Sequence, residues 1–346
     1  MENRAHVNAV HDTSRLGEAL AVPGFTVRER CPACEATEST EIYSRGFLDP
    51  PIRDYLVDFY KDQGGVDFDY LRPGRYVLDE CRECGLIYQR LILNDTGMQK
   101  LYDEWIDGQI VRETVVKHKK LEYYAELAAE VQAVVRYLGR EPRDLKLLDF
   151  GMGWGEWCLM AKAHSCEVFG AELSDVRIQH AQAALIQVIS WDEIRSRRFD
   201  FINTEQVFEH IPYPLQTLKA LGESLAPGGL IRVSVPNGSR IKKSLRAGRW
   251  GADKNSRQSL NPVAPLEHIN CYHYQSLRRM GEVAGLKPVS FPAIPKNVTE
   301  LLSCTLKSAL KIGRERVRRS VGSSALNAIC FRRASDSLAH PPVPRL

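Results

Sequence analysis

Two pairs of cysteines have the spacing of a metal site. Two residues separate Cys31 from Cys34, two separate Cys81 from Cys84, and Gly85 follows the second pair. This gap lets both thiolates of a tight turn reach one tetrahedral ion, and four such ligands leave no position for water or substrate. The pattern therefore predicts a closed, structural Zn²⁺ site. Unrelated thiols or a redox-active pair are the alternatives.

A glycine-rich turn joins an apolar strand to a helix. In LLDFGMGWGEW, the residues Gly151, Gly153 and Gly155 allow a positive φ and let the charged groups of a ligand lie against the backbone. Glu172 follows about 20 residues later, where an acidic side chain accepts hydrogen bonds from ribose hydroxyls. Together these residues predict a nucleotide-binding βα unit. An ordinary turn with a solvated glutamate, or the turn of a Rossmann dehydrogenase, are the alternatives.

These residues lie within a regular alternation of strands and helices, which predicts an α/β fold with a Rossmann-like sheet. The predicted strands are 145–150, 167–171, 186–189, 199–202 and 230–235, followed by two late strands at 287–291 and 325–331. Helices are predicted at 157–164, 175–184, 215–225 and 276–284, and a linking helix at about 117–138. Sites in such folds form at the carboxyl ends of the strands. The glycine turn and Glu172 both belong to that edge.

Four segments stand in an order that resembles the motif series of class I S-adenosylmethionine (SAM)-dependent methyltransferases. They are LLDFGMGWGEW, AELS, FDFINTEQVFEHI and LAPGGLIRVSVPN, and they span residues 146–237. The GxGxG form of the turn, and the Pro-Gly-Gly before the fifth strand, differ from a dehydrogenase. The resemblance implies S-adenosyl-L-methionine as cofactor and a seven-stranded sheet. It also implies a reversed hairpin at the sheet edge, which the two late strands fit.

The resemblance assigns individual residues to parts of the cofactor. It implies that Asp149 and the three glycines of the turn flank the methionine part of SAM, and that Glu172 holds the ribose. Ser190 and Trp191 would border the adenine, where the commoner pattern has an aspartate at the position of Ser190. Glu205 would lie near the methionine end or the substrate.

Two segments offer side chains that could take a proton from a methyl acceptor. TEQVFEHIP contains Glu209 and His210, and PLEHINCYHY contains Glu267 and His268. A four-cysteine module before a SAM domain resembles the sugar C-methyltransferases of deoxysugar pathways. In that family a Glu-His pair acts as base, and a His after the fourth strand assists. Carried over, this makes Glu267, His268 and His210 catalytic.

The chain departs from that family at two points. Pro265 stands where the family has a tyrosine, and the upstream catalytic tyrosine of the family has no clear match. His210 could also be a packing residue rather than a base. Sugar C-methylation is therefore one possibility for the reaction, whereas methyl transfer from SAM does not depend on these positions.

The charge and the apolar content of the chain bear on whether it binds nucleic acid or membranes. The chain has 47 Lys and Arg against 43 Asp and Glu, a net charge of +4 that does not by itself imply a nucleic-acid or membrane partner. No stretch approaches the roughly 20 apolar residues that span a bilayer, and the start has no apolar targeting segment. We expect a cytoplasmic protein without membrane insertion. Its nine cysteines would then stay reduced, which favours a metal site over disulfides.

The chain divides into five predicted segments. They are a disordered tail at 1–25, a zinc-ribbon-like module at 26–92, a helical linker at 93–142, the methyltransferase domain at 143–334 and a disordered tail at 335–346. Basic residues crowd an insertion at 239–257 and a helix predicted at 299–319. Each could be a solvated face, or the insertion could bind a phosphate of the acceptor.

The leading interpretation is methyl transfer to a small polar acceptor, such as a sugar or a nucleotide-linked sugar, by in-line displacement with a His/Glu base. An RNA methyltransferase, whose zinc module and basic helix grip phosphates, is the alternative. Nucleic acid is disfavoured because basic and aromatic residues do not interleave as they do in proteins that stack single-stranded bases. A catalytically silent SAM-binding scaffold is a third interpretation. The oligomeric state stays open.

Overall fold

Three β-sheets organise the protein. The computed structural model describes residues 22–106, 121–251, 256, 258–291 and 326–336. A two-stranded and a four-stranded sheet are built mainly from the residues before 107, and a seven-stranded sheet from those after 120. Most of the two predicted disordered tails, and all of the basic helix predicted at 299–319, lie outside the described residues.

The N-terminal region holds the two cysteine pairs at the ends of an antiparallel sheet. Its elements are β1 Phe25–Val27, β2 Ser39–Gly46, α1 Ile52–Tyr60, α2 Phe68–Leu71, β3 Arg75–Cys81, β4 Ile87–Gln89, β5 Leu91–Leu93 and α3 Asp95–Lys100. A π-helical turn at Leu101–Trp105 follows α3. β2 pairs with β3 and β3 with β4, all antiparallel, while β1 pairs with β5.

Helix α1 shows why this region has a core of its own. Ile52, Leu56 and Tyr60 recur every four residues, so they share one face of the helix, and all three are buried. They pack with aromatic residues of β2 and β3 and with Trp250 from the later part of the chain. Burial of one such aliphatic side chain stabilises the fold by about 1.5–3 kcal/mol. This helix was not predicted from the sequence.

The second half alternates strands and helices as predicted. Its elements are α4 Leu121–Leu138, β6 Lys146–Phe150, α5 Glu156–Ala163, β7 Glu167–Ala171, α6 Asp175–Ala183, β8 Gln187–Val188, α7 Trp191–Ser196, β9 Phe199–Glu205, α8 Pro214–Glu223, β10 Leu225–Pro236, α9 Ile241–Arg246, β11 Asn270–Cys271, α10 Tyr274–Val283, β12 Leu286–Val289 and β13 Leu326–Arg333. Two of these helices, α7 and α9, were not predicted. Helix α9 lies inside the basic insertion.

The seven-stranded sheet confirms the predicted fold class. Its strand order is β12-β13-β10-β9-β6-β7-β8, with parallel pairing from β10 to β8 and antiparallel pairing of β13 with both neighbours. In β9, FDFINTE is buried at every position except the last, because both faces of a central parallel strand are covered by other elements. The two late strands form the reversed edge that the resemblance implied.

The N-terminal region and the second half share one sheet. β11 pairs with β4, so the four-stranded sheet has the order β11-β4-β3-β2. The buried Arg28 side chain reinforces this junction, since its guanidinium donates to the carbonyls of Gln89 and Ile269 and to the side chain of Asn270. The N-terminal region therefore holds the segment that immediately follows Glu267 and His268.

Among the described residues, no helix combines the length and apolar character that crossing a bilayer requires.

Candidate functional site

The four predicted metal-ligating cysteines meet in one cluster. Their sulfur atoms lie within 4.8 Å of one another, with Cys31 Sγ and Cys84 Sγ 3.6 Å apart and Cys34 Sγ and Cys81 Sγ also 3.6 Å apart. Two sulfurs bonded to one tetrahedral Zn²⁺ at about 2.3 Å stand about 3.8 Å apart, whereas a disulfide brings them to about 2.05 Å. The observed spacing therefore fits a shared ion.

The backbone around the cluster repeats the same turn twice. The residue after each Cys-x-x-Cys has a positive φ, 63° at Glu35 and 73° at Gly85, and each donates its amide to the first cysteine of its pair. Two similar turns thus present their sulfurs to a common centre. The hydrogen bond between Cys31 and Cys84 lowers the pKa of Cys31 and raises that of Cys84, so the two thiols share one proton when no ion is bound.

The glycine turn ends β6 and leads into α5. Gly151 and Met152 both donate their amides to the Ala171 carbonyl at the end of β7, so the turn is fixed to the neighbouring strand. Gly153 has φ 57°, and a Cβ added there would meet nothing within 4 Å. The backbone is therefore open on that side, which is the shape a cofactor needs to lie against it.

Glu172 closes the other side of this turn. Its carboxylate accepts hydrogen bonds from the Gly153 amide at 3.0 Å and from the Leu173 and Ser174 amides at 2.8 and 3.1 Å. Arg177 on α6 lies 3.5 Å from the same carboxylate. A carboxylate held beside the open glycine backbone can accept hydrogen bonds from ribose hydroxyls. Its predicted cofactor role stays a prediction.

Asp149 and Glu205 belong to a buried polar network beneath the turn. Asn203 donates to Asp149 at 2.9 Å, and Arg232 donates to Asn203 at 2.9 Å and to Glu205 at 3.1 Å. Glu130 of α4 also pairs with Arg232. Burial raises the pKa of Asp149 to about 7. The network places both predicted residues at the ends of adjacent strands, β6 and β9.

Ser190 and Trp191 begin helix α7 after β8. The Ser190 side chain caps this helix by accepting from the Glu193 amide, while the Glu193 carboxylate accepts from the Ser190 amide. The Trp191 ring lies 5.6 Å from the Phe150 ring at the end of β6, and its indole nitrogen is buried without a partner. The structure thus gives Ser190 a local capping role and brings Trp191 to the cofactor edge.

The three predicted catalytic residues come together near this edge. The rings of His210 and His268 lie 4.7 Å apart, centroid to centroid, in an edge-to-face arrangement. The Nδ1 of His268 contacts the Asn261 carbonyl, so Nδ1 carries the proton and Nε2 has the lone pair. Burial is the main reason that the pKa of His210 falls to about 3. His210 is therefore neutral near pH 7 and is a weak proton acceptor in this arrangement.

One packing contact and one longer-range electrostatic effect connect this cluster to the glycine turn. Val207, three residues before His210, packs against Gly151 so closely that an added Cβ would come within 2.5 Å of its side chain. The charge of Arg177, which contacts Glu172, also contributes to the lowered pKa of His210. The segment after β9 therefore joins the two parts of the site.

Sequence reasoning missed one residue of this site and left another unassigned. Tyr60, from α1 of the N-terminal region, donates its hydroxyl to Glu267 Oε1 at 2.7 Å and is 1% exposed. Glu209 is completely buried beside His210, and burial raises its pKa to about 8. The period of Ile52, Leu56 and Tyr60 could have indicated a buried tyrosine, but no local signal indicates its contact with a residue 207 positions away.

A comparison with known protein families identifies the domain in the second half of the chain. Residues 120–290 match a family model described as a methyltransferase domain. No curated protein matches the chain.

Three solved structures illustrate the likeness. PKMT2 from Rickettsia typhi, in complex with AdoHcy, has 12% identity and a TM-score of 0.41, covering 61% of this chain and 54% of that one. DesVI from Streptomyces venezuelae has 21% identity and a TM-score of 0.33, covering 39% and 60%. The plantazolicin methyltransferase BamL, with SAH and a triazolic analogue, has 14% identity and a TM-score of 0.45, covering 68% and 93%. This chain thus spans less than two thirds of the first two.

Proposed function

Because the chain carries a class I SAM-dependent methyltransferase domain, we propose that it transfers the methyl group of SAM to a small polar acceptor held beside Glu267 and His268. The observation that carries this proposal is the convergence of two groups of residues. Val207, three residues before His210, packs against Gly151, so the open glycine backbone and the cluster of candidate bases are joined by one short segment after β9. This arrangement puts a cofactor surface and candidate bases at the same sheet edge.

The cofactor fits the residues at that edge. The open backbone at Gly153 would lie against the cofactor, Glu172 would accept from the ribose hydroxyls, and Asp149 and Glu205 would flank the methionine part. Trp191 would border the adenine. Bound SAM supplies an electrophilic methyl group on a sulfonium, and the protein has to align the acceptor with it.

The catalytic task of the chain itself is to orient the acceptor and to remove its proton. As the acceptor atom forms its bond to the methyl carbon, the bond from that carbon to sulfur breaks and the acceptor proton leaves to a base. Glu267 and His268 are the proposed bases, and His210 assists them. Tyr60 is a positioning residue, because its hydroxyl donates a hydrogen bond to one oxygen of Glu267 and so fixes the direction of the carboxylate.

We propose that Cys31, Cys34, Cys81 and Cys84 bind a structural Zn²⁺. The separation of their sulfurs supports this, and four thiolates satisfy the ion without leaving a position for chemistry. The ion would stabilise the sheet whose strand β4 pairs with β11, close behind Glu267 and His268. Such a site needs reduced thiols, which fits the proposed cytoplasmic location.

The acceptor carries a phosphate or another anionic group in this proposal. Arg246 at the end of α9 and Arg249 just after it are exposed, and both lie in the insertion that leads to Glu267. Lys242 of the same helix forms an ion pair with Glu80 at 2.7 Å. We therefore assign the binding of the anionic group to the two arginines and not to Lys242. Guanidinium groups bind phosphate oxygens in pairs.

Replacing Arg246 and Arg249 together by Ala should raise the KM for the acceptor without changing the affinity for SAM. The matched control removes the exposed Arg278 and Arg279 of α10, which gives the same loss of charge away from the insertion. An unchanged KM in the first variant, or an equal change in both, would contradict the phosphate proposal.

The acceptor class is tested by incubating the protein with methyl-labelled SAM and a fractionated cell extract. The proposal requires the label in small molecules. Label in RNA, together with steeply salt-dependent RNA binding, would favour the RNA methyltransferase. Failure to bind SAM in calorimetry would favour the catalytically silent scaffold.

A further inference from the structure

One buried carboxyl group beside the candidate bases has no hydrogen-bond partner for either oxygen. Glu209 follows β9 and is completely buried, and neither Oε1 nor Oε2 has a hydrogen-bond partner. Its nearest basic group is His210, whose Nε2 lies 4.0 Å from Oε1, beyond hydrogen-bond distance. Buried carboxylates are normally paired or bound to metal ions. A group that satisfies Glu209 is therefore expected at this place.

The neighbouring side chains supply the ligands that a metal ion would need. One carboxylate oxygen of Glu209 and one ring nitrogen from each of His210 and His268 lie within 4.8 Å of one another. Two imidazoles and one carboxylate form a ligand set found in catalytic zinc sites, with a further position open to water or substrate. The three residues come from two separate segments, so the fold, and not local sequence, assembles them.

The orientation of His268 is the second independent observation. Its Nδ1 contacts the Asn261 carbonyl, which directs Nε2 away from that backbone. Metal-ligating histidines nearly always donate their other ring nitrogen in this way, because the bond fixes the tautomer and the direction of the lone pair. His210 has a buried Nδ1 without a hydrogen-bond partner. One ring nitrogen of each histidine thus lies close enough to the Glu209 carboxyl group to bind a common ion.

We propose that Glu209, His210 and His268 form a second metal site, distinct from the four cysteines, for a divalent transition ion such as Zn²⁺. Nitrogen and oxygen ligands suit ions of this class, whereas the cysteine cluster offers sulfur alone. Tetrahedral ligands at about 2.0–2.2 Å from the ion are about 3.4 Å apart, so the side chains move together on binding.

A bound ion would change which of the candidate bases can take the proton of the acceptor. It uses the lone pairs of His210 and His268, which leaves Glu267 as the protein group that takes the acceptor proton. The open position of the ion would bind an oxygen of the acceptor or water. This consequence rests on the proposed methyl transfer, whereas the existence of the metal site does not.

The test is the zinc content of the full chain after loading with Zn²⁺ and removal of free ions, measured by elemental analysis. The wild type should retain one more zinc per chain than Glu209→Gln, because loss of one of three protein ligands should raise the dissociation constant at least about 100-fold. Replacement of a partner that only orients a ligand already costs 10- to 100-fold. The matched control is His164→Asn, which replaces a histidine outside the cluster at the end of α5 and should retain the wild-type content.

Circular dichroism establishes that each variant is folded. If Glu209→Gln does not fold, His210→Asn replaces it and should lose the same ion. Equal zinc contents in the wild type and a folded cluster variant would overturn the proposal. Because the result is a difference between two proteins that both keep the four cysteines, it does not depend on the cysteine site or on methyl transfer.

Discussion

Removal of one hydroxyl should separate the contribution of the N-terminal region to catalysis from its contribution to the fold. Tyr60→Phe deletes only the group that donates to Glu267 Oε1 at 2.7 Å. The rest of the side chain, which is 1% exposed, keeps its packing in α1. Glu267 then lacks the donor that fixes its orientation toward the acceptor. We therefore expect slower methyl transfer with little change in SAM binding.

The size of the effect follows from the type of hydrogen bond. A bond to a charged group contributes about 1.5–3 kcal/mol, and each 1.36 kcal/mol is tenfold in rate, so kcat should fall about 10- to 160-fold. The assay measures single-turnover transfer of the labelled methyl group from SAM to the fraction of the cell extract that accepts it. Calorimetry measures SAM affinity in parallel.

Tyr55→Phe is the matched control. Tyr55 lies on the same helix, but its buried hydroxyl has no hydrogen-bond partner, so its removal breaks no bond. Removing an unsatisfied buried hydroxyl should leave kcat unchanged and stability equal or higher. A kcat of Tyr60→Phe within twofold of the wild type would show that the Tyr60 hydroxyl does not orient Glu267 for catalysis, and so would equal losses in both variants.

Three further predictions concern the metal cluster, the cofactor turn and a buried carboxyl group. Cys84→Ser should lose the zinc of the cysteine cluster and lower the melting temperature, since ion binding stabilises only the folded state; an unchanged metal content and melting temperature would exclude a structural ion there. Gly153→Ala puts a side chain at φ 57° and fills the open side of the turn, so it should cost about 1 kcal/mol of stability and weaken SAM binding in calorimetry, whereas unaltered affinity would place the cofactor elsewhere. Burial raises the pKa of Asp149 from 3.8 to about 7, so the folded chain without cofactor retains a proton that the unfolded chain releases. The stability from this group is complete below about pH 3.8 and is lost as the pH rises through about 7, so the melting temperature of the wild type should fall relative to Asp149→Asn between pH 5 and 8, and parallel curves would contradict the shift.

The fold of the second half could be predicted because each element has a local signal. The buried strand KLLDF is followed by a glycine-rich segment that is typical of a turn. The short apolar segments at β7, β9 and β10 are separated by helical segments, which is the pattern of a parallel sheet. Helix α7 was missed because it has six residues, too few for a period, although Ser190 and Glu193 form the capping box that marks its start.

The composition of the site could be predicted only in part. The cysteine pairs and the glycine turn depend on residues close in sequence, so spacing alone was informative. Contacts between distant segments have no such signal. Tyr60 meets Glu267 and Arg28 meets Asn270 because β4 and β11 pair, and this pairing joins two residues of one segment to a strand about 180 positions earlier. Glu209 was seen in the sequence, but its lack of a partner is visible only when its surroundings are known.

Methyl transfer by His268→Ala separates cofactor binding from proton removal. In the proposed mechanism the glycine turn and Glu172 bind SAM, whereas the cluster around His268 removes the acceptor proton. The variant should therefore bind SAM with the wild-type affinity while the transfer rate falls by about 10²- to 10⁴-fold, the usual contribution of a positioned base. A transfer rate close to that of the wild type would exclude His268 from proton removal, and a loss of SAM binding in a folded variant would exclude this separation of roles.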